Sequence, residues 1–178
     1  MTIRRFAHVV GGLAGLALVA AMLVTSTPVL AQDAHLLGSY GDWEAYTRGG
    51  KADRFCYIVS KPKEASLRSR RGDIFLLVWH RPSKQEFDVV QVDAGYTYKK
   101  DSEVELQVGG DAWKLFTRDG NAWTYSKEDD SGIVDAMRKG ARLTVKGTSS
   151  RNNPTTDSYS LNGVTAATRA IDKACGHP

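Results

Sequence analysis

Beyond residue 31 the chain carries three histidines (His35, His80 and His177), two cysteines (Cys56 and Cys175) and a basic run at Arg68, Arg70 and Arg71. From such residue types a metal centre, a nucleophilic site or an anion site could be built. A zinc centre draws on His, Cys and carboxylates at short, defined spacings. Here the histidines are isolated, and there is no CxxC. A serine hydrolase of the common kind shows a GxSxG turn, which is missing, and nothing pairs two carboxylates across a cleft. Gly109-Gly110 reads as a hairpin turn and not as a phosphate-cradling loop. His80 closes an apolar run and could act as ligand or base, but its ordinary role there is structural. The reading is therefore a non-enzymatic protein with no catalytic, metal-binding or cofactor-binding residues and no cofactor. A hydrolase is left as an alternative only if its site assembles in three dimensions around His80 or His35.

What remains is recognition. Arg68, Arg70 and Arg71, with Arg151 from a later segment, form a candidate patch for an acidic partner, set against the plainer reading of a solvated loop. Arg71-Gly72-Asp73 spells an integrin-type tripeptide, a match short enough to arise by chance. Residues 147–159 (GTSSRNNPTTDSY) are rich in turn formers and could line a binding site. Trp43, Trp79, Trp113 and Trp123 all fall in strand-like segments. Core packing is their default role, and a stacking surface for a small ligand or glycan is the second reading.

The elements that must position these residues are mostly short strands. Residues 32–39 read as a linker. Strand patterns follow at 41–47, 54–60, 87–92 and 103–108, and a continuous apolar run at 73–80 predicts a strand buried on both faces. Gly109-Gly110 turns the chain into 112–117, with both glycines expected at positive φ, and Asp119-Gly120 turns it into 122–126. Ser131 is expected to cap a helix over about 132–139. Residues 143–146 return as a strand. In the last segment Leu161, Val164, Thr168, Ile171 and Cys175 recur at helical spacing, which places Cys175 on a buried face. The fold class is mainly β: a sandwich or open barrel of short antiparallel strands with two helices.

Residues 1–31 differ in kind. Arg4 and Arg5 precede an Ala/Val/Leu/Gly run free of acids, and Val29-Leu30-Ala31 has the form of a cleavage site. This predicts a secretory signal cleaved after Ala31, with an uncleaved inner-membrane anchor as the alternative. No later segment is apolar enough to span a membrane. Removal of the segment takes two arginines from a net charge of +4, so the remaining chain is only mildly basic and gives no reason to expect nucleic acid. In an oxidising compartment Cys56 and Cys175 would pair; two separate buried thiols are the alternative. The organisation is then a signal at 1–31, a linker at 32–39 and one domain at 40–178. Its location is periplasmic or secreted, and its partner an envelope or host protein or a glycan.

Three stretches together resemble the invasion-associated locus B family of exported proteobacterial proteins. They are GDWEAYT at 41–47 with FCYIVSKP at 55–62, the strand ending in His80-Arg81-Pro82, and DAMRKGARLTVKGTSSRNNPTTDSYSLNG at 135–163 running into the helix that ends at Cys175. The resemblance implies a compact β-rich envelope or periplasmic protein without known enzymatic activity, and it supports pairing of the two cysteines. The chain departs from the pattern in two places. Tyr46-Thr47 stands where some relatives carry a further cysteine, and Asn152-Asn153-Pro154 replaces a turn that usually contains Gly.

Overall fold

The computed structural model describes residues 34–177; the expected signal segment lies outside them. The strands are β1 (His35–Tyr40), β2 (Trp43–Arg48), β3 (Phe55–Ser60), β4 (Glu64–Ala65), β5 (Phe75–Arg81), β6 (Glu86–Asp93), β7 (Glu103–Val108), β8 (Asp111–Arg118), β9 (Asn121–Thr124), β10 (Arg142–Thr148) and β11 (Pro154–Ser160). Helix α1 (Lys127–Lys139) and helix α2 (Val164–Cys175) complete the order. All strand pairs are antiparallel within a single eleven-stranded sheet, ordered β1-β2-β3-β5-β6-β9-β8-β7-β10-β11-β4. Residues 35–39, expected in the linker, thus form the first edge strand together with Tyr40.

Period-two alternation puts one face of the sheet inward. Ala45, Ile58, Val78, Val90, Leu106, Leu115, Val145 and Tyr159 are all buried and belong to a single core. Both helices pack on this face, α2 against β1, β2, β3 and β5, and α1 chiefly against β6. The two ends of the sheet meet where Trp43 Nε1 donates to the Ser160 carbonyl (3.0 Å) and Asp42 N donates to the Asn162 carbonyl (3.0 Å). Gly163 (φ 91°) makes this closure possible, since a Cβ there would run into the Tyr40 carbonyl.

Four details differ from expectation. Helix α1 begins a turn earlier than predicted: Ser126, not Ser131, is the cap, its hydroxyl accepting from Asp129 N (3.1 Å). The first turn holds Glu128, Asp129 and Asp130, which suit the positive end of the helix dipole but carry no apolar periodicity to mark it. Of the two hairpin glycines only Gly109 has positive φ. β5 is not buried on both faces: Leu76, Val78 and His80 point inward, while Phe75, Leu77, Trp79 and Arg81 are half-exposed on the outer face. Of the tryptophans only Trp43 is fully buried; Trp79, Trp113 and Trp123 are half-buried.

The C-terminal helix matches its predicted span and face, with Val164, Thr168, Ile171 and Cys175 inward. Cys175 is disulfide-bonded to Cys56 of β3, with Cα atoms 6.1 Å apart.

Candidate functional site

Two segments distant in sequence close around one pocket of about 330 Å³. One wall is the chain after β4, where Leu67 (φ 54°) leads into a single 3₁₀ turn at Arg68–Arg70. The other wall is the β10–β11 connection. There Ser149 N donates to the Asn153 carbonyl (2.9 Å), Asn152 takes a left-handed conformation (φ 59°), and Ser150 N ties the turn to the Thr97 carbonyl (2.8 Å). Gly95, Tyr96 and Thr97 from the β6–β7 connection also line the pocket, with Tyr96 OH 2.6 Å from Thr155 Oγ1.

Among the arginines singled out by sequence, Arg70, Arg71 and Arg151 line this pocket. Their states differ. The Arg70 and Arg151 side chains are exposed and have no ion-pair or hydrogen-bond partner among the described residues. Arg71 is committed to the fold. Its side chain is 2% exposed, it meets both oxygens of Asp157 at 2.6 Å, and it donates to the carbonyls of Ser66 (3.0 Å) and Ala94 (2.9 Å). Its guanidinium also lies 4.9 Å from the Tyr96 ring centroid. Burial opposes its charge, and the Asp157 carboxylate more than offsets that, so its pKa is raised. Around this pair burial pushes the phenols of Tyr96, Tyr98 and Tyr159 upward, which keeps them neutral. Arg68 donates to the Gly72 carbonyl (3.0 Å) and sits outside the pocket lining. With the Arg71 side chain enclosed, the tripeptide 71–73 cannot present its arginine to an adhesion receptor.

Sequence reasoning missed Tyr96 and Thr97, and took Asp157 only as part of the 147–159 segment, not as the partner of Arg71. A signal for Asp157 was available: it falls on an inward position of an alternating strand, where an acid requires a cation.

The second polar constellation surrounds His80, which the sequence set aside as structural. β5 and β6 lose register between the pairs Trp79–Val89 and Arg81–Glu86, so His80 faces two residues, Phe87 and Asp88. Asp88 adopts positive φ (55°), and its backbone N–H donates to His80 Nδ1 (3.0 Å). Nδ1 therefore offers a lone pair and Nε2 carries the proton, which it donates to Asp172 Oδ1 (2.9 Å). Asp172 in turn accepts from Arg138 (3.3 Å), and Asp88 meets His177 Nε2 (3.1 Å). The His80, Asp88 and Asp172 ligand atoms lie within 4.8 Å of one another. A cation bound at Nε2 would require the opposite tautomer and would set Nδ1–H against the Asp88 N–H. The donor pattern thus fits a hydrogen-bonded strut between sheet and α2, not a metal centre. Nor is it a base within reach of substrate, because the ring is fully buried.

Comparison with known families places the chain. Residues 43–172 match the model of the Invasion associated locus B (IalB) protein family. The chain belongs to the IalB family. No curated protein and no solved structure gives a significant match. The matched span of this IalB-family protein covers β2 through most of α2, and so includes both pocket walls, the His80 strut and Cys56. The family is not one of known enzymes. No described helix is long and apolar enough to cross a membrane.

Proposed function

We propose that this IalB-family protein is an exported, non-enzymatic binding protein of the bacterial envelope, and that the pocket between residues 67–71 and 149–153 holds a small anionic group on a polar body. One observation carries the reading: two segments noted separately for charge and for turn-forming residues build a single pocket, flanked by Arg70 and Arg151, whose charges nothing nearby neutralises. The size suits a sugar-scale ligand. Tyr96, Thr97 and Ser150 add polar groups to its lining. Arg71, fixed by Asp157, holds the wall in place without offering its charge to the ligand. The export signal expected at 1–31 and the disulfide together support a location outside the cytoplasm.

The test is calorimetric titration of the chain lacking residues 1–31 with glucose 6-phosphate, galacturonate and glucose. Binding of an anionic probe, no binding of glucose, and at least about a tenfold loss in Arg70→Gln and in Arg151→Gln are expected. Equal binding of glucose, full affinity in both variants, or no binding of either anion would overturn the assignment.

A further inference from the structure

A second surface, separate from the pocket, gathers charge and aromatic side chains at one end of the sheet. β3 begins where β2 and β5 end, because Arg48 pairs with Phe55 and Cys56 with His80. The β2–β3 turn, the β5–β6 turn and the end of α2 therefore come together; Lys51, Arg54, Ser83 and Lys173 line a common groove beside the disulfide. Arg48, Lys51, Arg54, Lys84 and Lys173 are exposed there, and Arg81 is half-exposed. Opposing acids are few. Asp53 is engaged by Gly50 N (2.7 Å), Glu86 lies 3.9 Å from Arg81, and Glu44, exposed at the far side of the same face, accepts from Tyr46 OH (2.8 Å). Asp172 is turned inward to His80 and Arg138.

The adjoining outer face of β2, β3 and β5 carries Tyr46, Tyr57, Phe55 and Trp79 as one connected group, with ring centroids 5.2 to 5.7 Å apart. Arg48 and Arg81 both lie over Phe55, at 4.7 and 5.4 Å. Tyr57 stacks on Tyr46, and guanidinium groups lie over Phe55 and Trp79, so part of the ring area is already covered. The four rings are half-buried, with Trp79 Nε1 enclosed and unpartnered, and the cations beside them are exposed or half-exposed. Half-exposed aromatic rings with adjacent Lys and Arg are the combination that suits a layer of anionic headgroups. We infer that this end of the sheet docks on an anionic lipid surface, the cations meeting phosphates and the Tyr46–Tyr57–Phe55–Trp79 group lying at the headgroup level.

The experiment is cosedimentation of the chain lacking residues 1–31 with vesicles of phosphatidylglycerol and phosphatidylcholine, against phosphatidylcholine alone, at low and high salt. Binding to the anionic vesicles only, weakened by salt, is expected. Arg48→Gln/Lys51→Gln/Lys84→Gln alters exposed side chains outside the core and should weaken binding on the order of 100-fold, from roughly fivefold per cation. Arg70→Gln/Arg151→Gln should leave it unchanged, which separates this surface from the pocket. Absence of binding to anionic vesicles, equal binding to neutral ones, or an unaffected triple variant would overturn the inference. Full displacement by millimolar inorganic phosphate would do the same, because it would mark a site for a free anion. The salt dependence of the unaltered chain keeps the test valid if a variant is unstable.

Discussion

Arg71→Met removes a guanidinium that is 2% exposed and leaves the Asp157 carboxylate, 3% exposed, without its counter-charge. Four hydrogen bonds go with it: two to Asp157 and one each to the Ser66 and Ala94 carbonyls. Breaking a buried pair from one side typically costs about 3 to 5 kcal/mol, because the remaining ion stays desolvated. The structure puts this case in that range, a large share of a stability of roughly 5 to 15 kcal/mol. The double variant Arg71→Met/Asp157→Leu removes both charges. It should recover at least about 2 kcal/mol of the loss, the two carbonyls accounting for what is not recovered. Urea denaturation followed by circular dichroism, with the disulfide intact, measures all three values and the coupling between them. A loss below about 1 kcal/mol for Arg71→Met, or a double variant no more stable than the single one, would refute the structural role of Arg71. It would also return that arginine to the set available for a ligand.

Two other outcomes follow from buried groups. Asp130, in the first turn of α1 and 5% exposed, has its carboxyl pushed up to about 6 by desolvation, with Asp88 and Asp129 adding to the rise and Val90 N–H and Thr124 opposing it. Its folded pKa lies above its unfolded one, so its contribution to stability is full below pH ~4 and is lost as pH rises through ~6, about 3 kcal/mol in all. Urea midpoints between pH 4 and 7.5 should therefore change less in Asp130→Asn than in the unaltered chain, and equal slopes would contradict the assignment. The Cys56–Cys175 bridge spans 119 residues, and loop-closure entropy puts its contribution at about 5 kcal/mol. Reduction, or Cys56→Ser/Cys175→Ser, should lower the urea midpoint accordingly; a change under about 1 kcal/mol would show that the unfolded chain is already constrained.

Much of the fold was legible because local pattern and tertiary environment agree. Alternation in β3 and β7 and helical spacing in α2 each report which side chains face the core, and one inward face suffices to pair Cys175 with a strand cysteine. Where local pattern was weak the reading slipped. The first turn of α1 is polar and is held by a cap and by the Asp130 bond to Val90 N (2.8 Å), neither of which has a period. The apolar run of β5 looked buried on both sides, yet its outer residues are half-exposed, with Trp79 against Phe55 and Arg81 and Phe75 under Lys61, neighbours that depend on how the strands are ordered.

The sequence by itself determined the β-rich class, the terminal helix and its buried cysteine, and the absence of familiar catalytic motifs, because each rests on residues close in the chain. Only the tertiary structure decided which charges are free. Arg70 and Arg71 are neighbours of the same type, but β4 and β11 bring Asp157 under one and not the other. Register likewise carried Arg48, Arg81 and Lys173 to one end of the sheet from segments far apart in the chain. Charge is written in the sequence; whether it is paired depends on what the fold places within a few ångströms of it.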